Sequence, residues 1–252
     1  MRLNGFKLFV ALAVMGAYSL TVSPNAKADP APGEGAYLGA FFGFGMGVLQ
    51  AKVASRTINK DTVDTQNFET DRGGFGLEGI QGGGWAGWGL KTADDLYVGV
   101  EISAAASDEQ IELTTNAIKA ETETESSNQT ISSISVQRTW TAGGALRVGY
   151  YVNPDTLFSL KGGVAVSEFD VDIGSSSETY YAGGPQVGAS IETRISKIDP
   201  NLSLRIEYVF TDYLTADILG QTGVGRTTGS TGHDTELTGY DSAGRLGLQY
   251  SF

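Results

Sequence analysis

The sequence predicts an all-β protein, a closed antiparallel eight-stranded transmembrane β-barrel preceded by a cleaved signal peptide. Three observations predict it. Apolar and polar residues alternate with a period of two along eight segments, the links between those segments alternate between short and long, and the first residues carry the charge and hydropathy of an export signal.

The export signal comes first in the chain. Arg2 and Lys7 precede an apolar stretch from Leu8 to Leu20 with no acid among them, and Pro24 and the triplet Ala26-Lys27-Ala28 follow. About thirteen apolar residues are too few for an ordinary spanning helix, whereas a small-x-small triplet is what signal peptidase accepts. The chain thus divides into a signal peptide, residues 1–28, with Ala26 and Ala28 at the cleavage site, and an outer-membrane barrel domain, residues 29–252.

Composition narrows the function classes. Cleavage removes three bases and no acid, so the formal net charge moves from −12 to −15, which argues against nucleic acid as a partner. The absence of cysteine excludes a lipid-modified N-terminus, a disulfide and a thiolate metal site. Glycine, 35 of 252 residues, is about twice as frequent as in an average protein, and proline is scarce. Together with abundant Thr, Val and aromatics, this reads as strands with crowded positions.

The first segment places Leu38, Ala40, Phe42, Phe44, Met46 and Val48 on one face and Tyr37, Phe41 and a row of glycines on the other. A second ends in Ile80, Gly82, Gly84, Ala86, Trp88 and Leu90; a third runs Leu96, Val98, Val100, Ile102 against Tyr97, Gly99, Glu101 and Ser103. The fourth sets Ile134, Val136, Trp140, Ala142, Leu146, Val148, Tyr150 and Val152 outward against Gln137, Thr139, Thr141, Arg147 and Tyr151, with Arg138 as an outward misfit. The fifth alternates around Phe158, Leu160, Val164 and Val166, the sixth around Val187, Ala189, Ile191 and Ile195, the seventh around Leu204, Ile206, Tyr208 and Phe210, and the last around Leu246, Leu248, Tyr250 and Phe252. Tight turns are expected near 91–95, 153–156 and 196–201, and long links near 50–73, 106–132, 172–181 and 214–238. Long links on one rim and short turns on the other are the plan of an outer-membrane barrel with both termini on the short-turn rim.

A soluble β-sandwich would alternate too, so the polar faces decide. They carry charges of both signs: Glu78, Glu101, Arg147, Lys161, Glu192, Arg194, Arg205, Glu207 and Arg245. In a small barrel these point into the lumen, where isolated charges are costly but paired ones are accommodated. Glu101, Arg147, Glu192, Arg205, Glu207 and Arg245 are therefore expected to form a lumen ion-pair network. The apolar face also runs through Tyr250 to Phe252, which a soluble domain has no reason to expose.

The signal peptide, the Gly-rich first strand, the segment Leu96-Tyr97-Val98-Gly99-Val100-Glu101 and the closing Arg245-Leu246-Gly247-Leu248-Gln249-Tyr250-Ser251-Phe252 resemble the opacity-type or porin-like eight-stranded outer-membrane barrels. The resemblance spans essentially the whole mature chain. It implies location in the bacterial outer membrane with the long loops outside, contact with membrane lipid and lipopolysaccharide, and recognition of Tyr250 and Phe252 by the barrel-assembly machinery. Members share the barrel and differ in their loops, and the peptidoglycan-binding domain of longer relatives is not expected here.

Candidate chemistry is sparse. Gly74-Phe75-Gly76-Leu77-Glu78-Gly79 matches G-x-G-x-x-G, but Gly82-Gly83-Gly84 follows where a nucleotide-binding site needs a helix. His233, the only histidine, has Ser230 and Asp234 close by in what reads as a Gly/Thr/Ser-rich loop, too loose to hold a catalytic imidazole. With one His and no Cys, neither a zinc site nor any cofactor is expected. The acids Asp108, Glu109, Glu112, Glu121, Glu123 and Glu125 lack calcium-loop spacing and read as a solvated face. Trp85, Trp88, Trp140, Tyr150 and Tyr250 read as girdle residues. The expected function is therefore a non-enzymatic envelope component whose loops meet a host or environmental surface. A narrow pore and a lipid A-modifying enzyme are the alternatives.

Overall fold

The computed structural model describes residues 30–59, 62–69, 75–92, 94–114, 133–173, 176–214 and 231–252. They form β1 (Gly35–Asn59), β2 (Thr62–Glu69), β3 (Phe75–Lys91), β4 (Leu96–Thr114), β5 (Ser133–Asn153), β6 (Thr156–Ile173), β7 (Ser176–Arg194), β8 (Leu202–Tyr213) and β9 (Thr231–Ser251). The strands pair antiparallel in the order β2-β1-β3-β4-β5-β6-β7-β8-β9, and β1 also pairs with β9 along Tyr37↔Ser251 to Thr57↔Thr231. Eight strands thus close a ring, and β2 is a hairpin partner of the far end of β1 alone.

The ring's stagger can be read from its registers. Following Cα partners from Ala36 through Trp88, Val100, Leu146, Gly162, Val187, Phe210 and Ser242 leads back to β1 at Met46, ten residues beyond the start. Eight strands with that stagger tilt by about 40° and enclose an interior just wide enough for side chains. Outside, Phe42, Phe44, Ile80, Leu90, Leu96, Val98, Val100, Ile102, Leu146, Val148, Leu160, Val187, Ile206 and Leu248 are all exposed. From Leu96 to Ala106 this surface is about 25 Å tall at such a tilt, the height of a lipid-facing belt. Aromatic pairs edge it: Trp140 with Tyr181 and Phe210 with Tyr240 toward the far rim, Tyr250 with Phe252 toward the rim of the termini.

Several expectations need correction. Arg138 is not an outward misfit: it is 2% exposed and points into the lumen, as does Val136. The β5–β6 register jumps between Arg138 and Trp140, so Thr139 is an extra residue that reverses the alternation, carrying Gln137 to the outside. Glu78 is exposed on the same face as Ile80, its two-residue neighbour, and contributes nothing to the lumen. Trp85 is no girdle residue; it is buried inside against Phe41, at 5.2 Å between stacked rings.

Two of the four expected long links, 50–73 and 172–181, are largely strand, and the last of the four, 214–238, ends in one. Residues 50–73 contain the end of β1 and all of β2, β6 and β7 pair as far as Ile173↔Ser176, and β9 begins at Thr231. Those segments are polar, so the alternation that marks a strand in lipid is missing from them. His233 accordingly sits on β9 opposite Ser55, not in a loop.

Glycine makes the narrow interior feasible. A Cβ on Gly87 would overlap the buried ring of Tyr37 and the Val100 carbonyl, whereas one on outward Gly144 meets nothing within 4 Å. Gly87→Val should destabilise the barrel by about 1–3 kcal/mol or more through overpacking, while Gly144→Val should leave it near the parent. The fraction of unboiled protein running as the compact, heat-sensitive species on electrophoresis measures both.

Candidate functional site

Strand alternation delivers ten fully or nearly buried charges to the lumen among the described residues: Arg138, Arg147, Lys161, Arg205 and Arg245 against Glu101, Glu109, Glu192, Glu207 and Asp241. Five cations face five anions, so this set is formally neutral although the chain carries −12.

The group nearer the termini centres on Glu101 of β4. Its carboxylate accepts two bonds from Arg205 of β8, at 2.5 and 3.1 Å, lies 3.4 Å from Arg147 of β5 and 3.7 Å from Lys161 of β6, and accepts the Tyr37 hydroxyl at 3.1 Å. Arg205 also reaches Glu207 at 2.9 Å, and Lys161 pairs with the same carboxylate. Arg147 extends to Glu192 of β7 at 3.3 Å, and Gln249 links that carboxylate, at 2.7 Å, to the Trp85 indole, at 2.9 Å. The aromatic faces serve as well: the Arg205 guanidinium lies 4.3 Å from the Trp85 ring centre and Arg147 5.2 Å from that of Tyr97.

The second group lies toward the far rim. Arg138 bridges Glu109 of β4 and Asp241 of β9, the latter at 2.6 Å, and donates to Tyr213 at 3.2 Å and Ser107 at 3.2 Å. Above it an apolar layer of Leu77, Val136, Phe169, Tyr180, Ala182 and Tyr213 fills the bore. Arg245 stands between the groups, over Phe41 at 4.6 Å and bonded to Gln81 at 3.2 Å. The bare inner face of β1 is used rather than left empty: a Cβ on Gly43 would meet Arg245, one on Gly45 would meet Glu109, and one on Gly47 would meet Asp241.

The structure thus joins Glu101, Arg147, Glu192, Arg205 and Glu207 in one connected set and places Arg245 beside it, without an ion pair to these among the described residues. Sequence reading missed Glu109, Arg138 and Asp241. Glu109 sits in an acidic run that reads as a solvated face, Arg138 lies beyond the bulge, and Asp241 precedes the last strand's obvious apolar run. Tyr250 is on the outer wall, and Phe252 closes the seam by donating its amide to the Ala36 carbonyl at 2.9 Å. Ala26, Ala28 and Ser230 lie outside the described residues.

Chemically the arrangement is a plug. Each guanidinium is committed to carboxylates, aromatic faces or both, and no cluster of metal-ligating side chains occurs among the described residues. Two open depressions of about 560 and 690 Å³ lie on the outer wall, over Gly244 and Ala189 in one case and over Ala86, Gly144 and Gly162 in the other.

No protein-family model matches the chain, and no curated protein does. Among solved structures it is similar to the attachment invasion locus protein Ail of Yersinia pestis (11% identity, 87% of this chain and 99% of that one, TM-score 0.38) and to Neisserial surface protein A (12%, 87% and 98%, TM-score 0.43). The outer membrane protease OmpT from Escherichia coli is also similar (10%, 85% and 97%, TM-score 0.40).

Glu101→Gln removes the carboxylate that three buried cations share, and should lower stability by about 3–5 kcal/mol. Glu101→Gln combined with Lys161→Met should lose clearly less than the two single losses added together, because the pair is removed jointly. Urea unfolding in lipid or detergent, read by the compact species on electrophoresis, checks both.

Proposed function

We propose that this protein is a non-enzymatic integral component of the bacterial outer membrane that supports the envelope and presents its far-rim strands and links outside the cell for attachment to a host or environmental surface. One observation carries the reading: among the described residues the lumen is packed with ten paired or ring-stacked charges, while the wall continues well past the lipid-facing belt. About ten residues suffice for a strand to cross a membrane, yet β1 has 25 and β9 has 21. Beyond Leu49 and Phe75 the partner of β1 changes from β3 to β2, so β9, β1 and β2 form a three-stranded sheet standing off the barrel.

A filled bore has little use as a conduit, and a standing sheet has little use in lipid. The belt would contact membrane lipid and lipopolysaccharide, and the strand ending in Tyr250 and Phe252 would be what the barrel-assembly machinery recognises. Exchanging residues 52–69, 115–132 and 215–230 for short turns should lower adhesion of expressing cells to host-cell or matrix-coated surfaces by about tenfold, with the heat-dependent mobility shift retained. Unchanged adhesion, or discrete conductance steps from the parent protein in planar bilayers, would overturn the reading.

A further inference from the structure

The rim that carries the termini is closed by something other than the ion pairs. Residues Ala31, Pro32 and Gly33 precede β1 and are all buried, although they belong to no strand. They turn under the barrel. The Glu34 amide donates to the Ala31 carbonyl at 2.9 Å, and the Glu34 carboxylate accepts the Ala31 amide at 3.0 Å. Gly33 takes φ of 76° and packs so close to Tyr97 and Leu157 that a Cβ there would stand 3.2 and 3.3 Å from them.

The receiving surface comes from the opposite side of the ring. The Tyr151 hydroxyl of β5 donates to the Pro32 carbonyl at 2.8 Å, and Arg194, at the end of β7, donates to the Pro30 carbonyl at 2.6 Å. Between these two donors Ala31 enters an apolar hole formed with Tyr97, Tyr151 and Leu157. Tyr97 braces Tyr151 edge-on at 6.3 Å, and Lys91 covers the Tyr151 ring at 4.6 Å. Two donors matched to carbonyls two residues apart, with a pocket sized for the small side chain between them, are the elements of a peptide-recognition site. The prolines suit it, since each fixes its own φ and brings no amide hydrogen needing a partner in the bore.

We infer that the periplasmic mouth of the barrel is a peptide-binding site whose ligand is the chain's own segment Pro30–Glu34, docked as a strap that releases without unfolding the barrel. The assignment of that mouth to the periplasm rests on the membrane reading above; the docking and its release do not.

The chain has no cysteine, so a single introduced thiol reports on one position. Three variants of the purified, folded protein are compared for reaction with a bulky hydrophilic maleimide: Ala31→Cys in the strap, Lys197→Cys in an exposed turn, and Ala243→Cys in the lumen. Ala31→Cys should react more slowly than Lys197→Cys and faster than Ala243→Cys. Adding Tyr151→Phe and Arg194→Gln, which delete both donors to the strap, should accelerate Ala31→Cys by about tenfold or more while leaving Ala243→Cys and the heat-dependent mobility shift unchanged. Reaction of Ala31→Cys as fast as Lys197→Cys in the otherwise intact protein would mean that the strap does not dock. Reaction as slow as Ala243→Cys both with and without the two donors would mean that the segment is a fixed part of the core. Either result overturns the inference, whichever membrane holds the barrel.

Discussion

Everything in this structure follows from one constraint: in a hydrocarbon environment no backbone amide or carbonyl can be left without a partner. A sheet satisfies that only by having no edge, and here the edge disappears at the seam where β1 meets β9. Closing the ring at eight strands with a ten-residue stagger fixes a bore that side chains fill. The outside is then obliged to be apolar and the inside is free to be polar, which is the reverse of a soluble protein.

The polar interior creates its own requirement. A charge withdrawn from water is destabilising by several kcal/mol unless its partners are well placed, so charges in such a bore must come as sets. Among the described residues the lumen meets this with five cations and five anions arranged around Glu101 and Arg138, supplemented by aromatic faces and by Gln81 and Gln249. Glycines on the inner face of β1 give the long arginine and glutamate chains their room. Filling the bore in this way fastens opposite walls to one another: Glu101 on β4 is tied to β5, β6 and β8, and Arg138 on β5 to β4 and β9. The strap from β1 to β5 and β7 adds a third tie at the mouth.

The fold was legible in the sequence wherever lipid imposes the alternation, because there each residue's parity is enforced by its surroundings. Tyr97, Glu101, Arg147 and Arg205 lie on such stretches and are buried on the inner face. Legibility ends at the belt. Beyond Trp140 a single extra residue, Thr139, inverts the pattern, and no composition signal marks a bulge, so Arg138 was assigned to the wrong face. The ends of β1, β6, β7 and β9, with β2, read as links because their residues are mostly polar and no apolar alternation marks them. Trp85 shows a different limit: an indole fits a girdle by type, but its position on the inner face of β3 opposite Gly39 sends it into the bore. The strap left no pattern at all, since its burial depends on Tyr151 and Arg194 more than a hundred residues away.

A cross-link across the seam between β1 and β9 reports on closure of the ring. Ala40 on β1 and Leu248 on β9 are Cα partners on the outer wall, and in an otherwise cysteine-free chain the pair Ala40→Cys and Leu248→Cys can form a disulfide only if the two strands lie side by side. In membranes treated with a mild oxidant, the closed barrel predicts rapid, near-complete intramolecular bonding, seen as a thiol-blocked monomer that retains the link after boiling. Free thiols, or bonds formed only between molecules, would mean that β1 and β9 are edges and that the barrel is open.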